Sequence, residues 1–214
     1  MKKNRHEPVF FRPHLFVFAY EWNHPDLGPP SQETTMPSIS ERPDLSPEEL
    51  AARLLVTPSA LDDLKLADAK RVVTYMHPQL VEAGTVFIQE GELSGNDYMM
   101  LILEGDISVE NELPGADGSI VVNVIGPGHL IGEMGVLDNS PRSATCTAVT
   151  DIAAAVLSRA ALRRLLWAEP AVGARLLLAI SKRMADRLRD TTRKLRTFAQ
   201  MNRALQQELQ VVMN

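Results

Sequence analysis

The sequence predicts a mainly β domain flanked by helices, and three observations carry that expectation. Ten of the twelve glycines fall between positions 84 and 135, where they cut the chain into short apolar and β-branched runs. The segments on either side lose those glycines and show helical spacing instead. A chain of 214 residues with a single cysteine, Cys146, must rest on hydrophobic burial, not on disulfides or a multi-cysteine metal site. Many short strands at such spacing imply a closed or double-sheet architecture such as a jelly roll.

Residues 1–36 read as a disordered or non-native N-terminal extension. Positions 1–35 hold six of the eleven aromatics and five of the fourteen prolines, and neither helical nor strand periodicity survives those prolines. Met36 stands just before the part that reads as a folded protein, so translation is expected to start there. The rival is an aromatic segment docked on the domain. Lys2, Lys3 and Arg5 could open a secretory leader, but Arg12, Pro13 and His14 break the apolar stretch behind them. Only residues 15–20 remain uninterrupted, short of the roughly 7–15 apolar residues such a leader needs. No apolar run approaches the ~18–20 residues of a membrane span, and a cytoplasmic location is expected.

Residues 37–76 read as N-terminal helices. Ser46-Pro47-Glu48-Glu49 combines a capping serine, a proline at the first helical position and acids in the first turn. A second helix is expected over roughly 58–76, carrying Leu61, Leu64, Leu66, Val72 and Val73. Residues 77–158 read as the β domain, with strands expected at 85–89, 97–103, 107–113, 120–125, 144–149 and 152–157. Gly115-Ala116-Asp117-Gly118 reads as a hairpin tip and Gly126-Pro127-Gly128 as a sharp corner.

Residues 159–214 read as a short helix, capped by Ser158 and ending near Trp167, then a long one beyond Pro170. With Leu177, Met184, Thr191, Phe198, Leu205 and Val212 as d positions, the a positions are Ser181, Leu188, Leu195, Asn202 and Leu209. Eight of these eleven are apolar, which argues for a coiled coil. Asn202 at an a position favours a parallel two-stranded register, so a parallel homodimer is expected. The alternative is a long amphipathic helix packed on its own domain.

Charge is unevenly placed. Net charge is zero over 1–35, −13 over 36–158 and +8 over 159–214. A basic tail behind an acidic body suggests a nucleic-acid contact or self-complementarity, against the plainer reading of a solvated helix rich in arginine.

The chemistry concentrates in Gly132-Glu133-Met134-Gly135-Val136-Leu137-Asp138-Asn139-Ser140-Pro141-Arg142-Ser143-Ala144-Thr145. A short helical turn after a glycine exposes several backbone N–H groups to an anion. Arginine adds a forked donor set that matches two phosphate oxygens. A carboxylate beside a phosphate site repels the ligand unless it accepts a hydrogen bond from it, and a ribose hydroxyl supplies one. A 3′,5′-cyclic nucleotide offers a phosphate monoanion and a single free ribose hydroxyl. That fits one arginine and one carboxylate better than a triphosphate does, since a triphosphate calls for a lysine and a metal.

The string resembles the phosphate-binding cassette of cyclic-nucleotide-binding domains, Gly-Glu-small/apolar-Ala/Gly-Leu followed by Pro-Arg-Ala/Ser-Ala-Thr, departing from it mildly at Val136. Residues 82–91 and 98–105 are similar to that family's early strands, and the resemblance covers about 40–213. The cassette is also similar to that of protein kinase A regulatory subunits. The family's fold implies an eight-stranded double-sheet jelly roll (β-roll) plus N-terminal helices and a long C-terminal dimerisation helix. The resemblance implies that Glu133 accepts the ribose 2′-hydroxyl. It implies that Arg142, with backbone N–H groups around Gly132, Met134 and Gly135 and near Ser143, holds the cyclic phosphate.

Residues 180–192 resemble the dimerisation helix of the bacterial cyclic-AMP receptor (Crp/Fnr-like) family. There a Thr-Ser pair reaches the adenine amino group, one residue from each subunit, and Thr191 and Thr192 occupy that place. Arg187 matches a lid arginine of the family and could pair with Glu133. Cyclic AMP is the favoured ligand and cyclic GMP stays open, because hydroxyls both donate and accept. No metal is expected. No helix-turn-helix sequence comes after the long helix here, so sequence-specific DNA binding is not expected. The expectation is a stand-alone, dimeric cyclic-AMP sensor, not an enzyme, acting on an unidentified protein partner in trans. Alternatives are a Crp/Fnr-type regulator-like protein touching nucleic acid through the basic helix, with Arg175 to Arg203, and a ligand-free dimeric scaffold. His129 and Cys146 read as structural.

Overall fold

The computed structural model describes residues 45–112 and 119–212. The expected extension at 1–36 and the hairpin tip at 115–118 lie outside the described residues. Helix α1 (Pro47–Leu55) starts as its sequence dictates, with the Ser46 hydroxyl accepting from the Glu49 N–H at 3.3 Å, and it buries Ala51, Ala52 and Leu55. The second expected helix is shorter than its apolar pattern suggested: only α2 (Leu66–Val73) is helical. Before it the chain makes successive turns, with Leu61 N–H donating to the Leu55 carbonyl and Leu64 N–H to Leu61. Leu61 and Leu64 are buried from those turns, so their spacing reflects burial and not helical periodicity.

The β domain has eight strands among the described residues: β1 (His77–Val81), β2 (Val86–Ile88), β3 (Tyr98–Glu104), β4 (Ile107–Glu112), β5 (Ser119–Ile125), β6 (Leu130–Ile131), β7 (Thr145–Ala148) and β8 (Ile152–Ser158). They form two four-stranded antiparallel sheets, β1-β8-β3-β6 and β2-β7-β4-β5. This is the eight-stranded double-sheet jelly roll expected. Strands β1 and β6 went unread in the sequence: His77-Pro78 breaks alternation, and two residues are too few to carry any.

The apolar runs of β3 and β8 are continuous because both faces are covered. Met99, Leu101, Leu103, Ala155 and Leu157 meet the helices, while Met100, Ile102, Ile152, Ala154 and Val156 pack between the sheets with Ile88 and Cys146. Helix α3 (Glu133–Asp138) sits between β6 and β7. Helix α4 (Arg159–Ala168) begins where the Ser158 hydroxyl accepts from Ala161 N–H at 3.1 Å. Helix α5 (Pro170–Val212) runs for 43 residues.

Four clasps fasten the first half of α5 to the domain. Arg175 donates twice to Asp68 at 2.7 Å, Lys182 pairs with Asp63 at 2.6 Å, Arg183 donates to the carbonyls of Ser59, Ala60 and Leu130, and Arg187 reaches Glu133. From Asp186 to Gln207 every residue is exposed.

Candidate functional site

The cassette folds as a loop around one arginine. Gly132 ends β6 in a left-handed conformation, φ +74°, which aims the first turn of α3 into a cavity. A Cβ at this position would lie 2.6 Å from Arg142 Nη1 and 2.9 Å from the Tyr98 carbonyl, so conformation and space both demand glycine. Gly135 is required by space alone, since its Cβ would sit 2.6 Å from the Asn96 carbonyl. Buried Asn96 then donates to the carbonyls of Asn139 and Ser140, holding the turn that leads to Arg142. Arg159, which sequence reasoning missed, ties off the other end of α3: it donates to the carbonyls of Gly135 and Val136 and to the Asn139 side chain. No local pattern marks it, because its partners lie about twenty or more positions away.

Arg142 is 6% exposed. Its Nη1 donates to Tyr98 and Gly132 carbonyls at 3.2 and 3.3 Å, its Nη2 to Gly95 and Tyr98 at 3.0 and 3.2 Å, and the guanidinium lies 4.5 Å over the Tyr98 ring. Every one of these partners is neutral. Among the described residues no carboxylate pairs with it. Glu133, 1% exposed, does have a counter-ion: Arg187 of α5 at 3.1 Å. The expected pairing of these two residues is therefore present.

A cavity of about 640 Å³ collects most of the expected residues on one wall or another: Gly132, Glu133, Met134, Gly135, Arg142 and Ser143 from the cassette, with Arg187 and Thr191 from α5. Thr192 does not line it. The two threonine hydroxyls donate to the Arg187 and Leu188 carbonyls of their own helix, both at 2.9 Å, which leaves their lone pairs free to accept. Arg183 also lines the cavity and was missed in the sequence, where nothing separates it from the other arginines of α5. Its Nε–H is buried without a partner, and burial pulls its guanidinium below the ordinary arginine value.

No nucleophile stands out here. Burial pushes the Cys146 thiol up to about 11, so it stays protonated, and the residue packs in the inter-sheet core. The His129 ring Nδ1 bonds the Gly126 carbonyl at 2.9 Å, a structural contact. Among the described residues no group of three or more His, Cys, Asp or Glu could hold a metal ion, and no helix is long and apolar enough to cross a membrane.

Residues 78–168 match the family model described as the cyclic nucleotide-binding domain. A cAMP-dependent protein kinase regulatory subunit from Eremothecium gossypii is 35% identical over 113 residues, covering 53% of this chain and 22% of its own length. A CRP-like cAMP-activated global transcriptional regulator from Mycobacterium tuberculosis is 28% identical over 100 residues, 47% of this chain and 43% of that protein. The chain thus spans less than half the length of these curated relatives. A solved cyclic nucleotide-binding domain from Methylobacillus flagellatus superposes with a TM-score of 0.59 at 29% identity, covering 67% of this chain and 79% of that one.

Proposed function

We propose that this chain, which carries a cyclic nucleotide-binding domain over residues 78–168, is a regulatory protein that senses cyclic AMP and passes the signal to a protein partner through its long helix. The observation that carries the proposal is Arg142, a nine-tenths buried guanidinium with only neutral partners, on the wall of a cavity shared with Glu133. A buried cation without a carboxylate is costly unless an anion joins it. A cyclic phosphate supplies a single negative charge and two free oxygens, which suits the guanidinium charge, its Nε–H (the one Arg142 donor not spent on a carbonyl among the described residues) and the unbonded N–H groups of the first turn of α3.

Glu133 has lone pairs to spare beyond its contact with Arg187, and one of them accepts the ribose 2′-hydroxyl. The base then lies toward α5, where Thr191 waits. Both similar regulators are named for cAMP, which favours that ligand over cyclic GMP. A ligand held in this way touches the cassette and α5 together, so it biases the position of the helix by its differential affinity for the two arrangements. Thr192 does not line its own cavity and suits the cavity of a second copy in a parallel homodimer. A nucleic-acid role for the basic helix is weakened by the engagement of Arg175, Arg187, Arg189 and Arg193 with Asp68, Glu133, Asp186 and Asp190.

Calorimetric titration of the full chain with cyclic AMP and with cyclic GMP tests the proposal. Saturable cyclic-AMP heat, weaker with cyclic GMP, is expected. Silence with both nucleotides from folded protein would overturn it.

A further inference from the structure

The inner face of the β2-β7-β4-β5 sheet carries a row of residues in register across all four strands. Ile88 stands opposite Cys146, Cys146 opposite Val109, and Val109 opposite Asn123. Residues directly opposite in antiparallel pairs point to one face, and all four line the cavity. Three are apolar. At the fourth, on the edge strand β5, the row ends in a carboxamide that makes no hydrogen bond to any described residue.

The strand is irregular at this point. Glu110 faces Val121 while Val109 faces Asn123, so Val122 is an extra, bulged residue. Successive residues of a regular strand face opposite sides, yet here Val122 and Asn123 both line the cavity. Cys146 lies on β7, which begins just after Arg142 and Ser143. Asn123 stands two strand spacings from it, about 10 Å. The phosphate-binding side and the Asn123 side are therefore opposite ends of one wall.

We infer that Asn123 reads the nucleobase and selects adenine; this rests on the cyclic-nucleotide reading above. Val109 and Val122 offer an apolar surface to the flat face of a purine, with the carboxamide at its edge. A carboxamide has an acceptor and donors side by side, and one edge of adenine offers the N6 amino donor beside the N7 acceptor, so the pair is bidentate. Guanine presents two acceptors on that edge, which leaves the carboxamide oxygen unmatched. Thr191 lies across the cavity with its hydroxyl proton spent on the Arg187 carbonyl, so it too can only accept. The two hydrogens of the adenine amino group thus meet two acceptors, one from the sheet and one from α5.

The test compares cyclic AMP with 7-deaza cyclic AMP, in which a C–H replaces N7, by calorimetry on the full chain. Asn123→Ala and Asn123→Asp are titrated beside it, with thermal unfolding of each variant to confirm that it folds. The wild type is expected to bind the deaza analogue about tenfold more weakly. Asn123→Ala is not expected to tell the two nucleotides apart, because it cannot donate to N7, and Asn123→Asp, whose carboxylate repels N7, is expected to reverse the preference. Equal affinity of the wild type for both, or retained discrimination in Asn123→Ala, would overturn the inference and leave the cyclic-nucleotide reading standing. Absence of binding by both nucleotides would overturn the two together.

Discussion

At the scale of single residues, two positions are expected to decide whether the cassette can work, and to fail in different ways. Arg142 is held by four hydrogen bonds to the Gly95, Tyr98 and Gly132 carbonyls, so its fork is fixed before any ligand arrives. A charge-assisted hydrogen bond contributes about 1.5–3 kcal/mol, and Arg142→Ala is therefore expected to weaken cyclic-AMP binding by at least tenfold in calorimetry. Arg142→Lys keeps the charge but not the fork, and should recover only part of the affinity. Wild-type affinity in Arg142→Ala would remove this residue from the site. Gly132 acts on folding instead. An alanine there carries the strain of φ +74° and a collision with Arg142 and the Tyr98 backbone. Gly91, at φ +79°, has nothing within 4 Å of an added Cβ, so Gly91→Ala isolates the strain alone. Gly91→Ala is expected to cost about 1–3 kcal/mol in urea unfolding, and Gly132→Ala distinctly more. Equal losses would show that the cassette yields to the extra methyl.

At the scale of elements, ionic clasps between α2 and the C-terminal helices set the acid limit of the fold. Asp68 is 8% exposed and accepts both donors of Arg175, which holds its carboxyl below the usual aspartate range. A lowered value means stability that is fully present above the unfolded value near 3.9 and is lost as pH falls through the folded one. The gap in urea midpoint between wild type and Asp68→Asn should stay constant above about pH 5 and shrink progressively as pH falls below about 4. A gap that does not shrink at all between about pH 5 and pH 2 would mean that the contact is not ionic. These long-range clasps also mark what the sequence could not reveal. Strands bounded by glycines were legible because each is a local pattern, and the cassette was legible because its functional residues lie within twelve positions of one another. Strand β1, with Pro78 inside it, and the two-residue β6 carry no period to detect. Residues 58–65 imitate a helix because Leu61 and Leu64 are buried from turns. Asn123, Arg159 and Arg183 reach the site only through sheet register and helix packing, which no local spacing encodes.

At the scale of the whole molecule, α5 poses a problem that a second copy would solve. Its clasps end at Arg187, and from Leu188 to Val212 the helix extends 25 residues, about 37 Å. Most helical stability in proteins comes from packing an apolar face, yet Leu188, Leu195, Phe198 and Leu205 are each more than half exposed here. They fall on a and d positions of one seam, with Thr191 and Asn202 as the polar members of this stretch. A parallel two-stranded coiled coil buries that seam and sets Asn202 against its counterpart, the arrangement in which a buried asparagine fixes register at some cost in stability. The full chain is therefore expected to sediment as a dimer, and Leu195→Glu with Leu205→Glu to shift it to monomer while the β-roll still unfolds cooperatively. If Thr192 serves the partner's cavity, that monomer binds cyclic AMP more weakly than the dimer although no cassette residue has changed. Asn202→Leu should raise the thermal stability of the assembly and admit species larger than a dimer. A wild-type chain that sediments as a monomer up to tens of micromolar would refute the seam, and α5 would then be a helix that waits for a different partner.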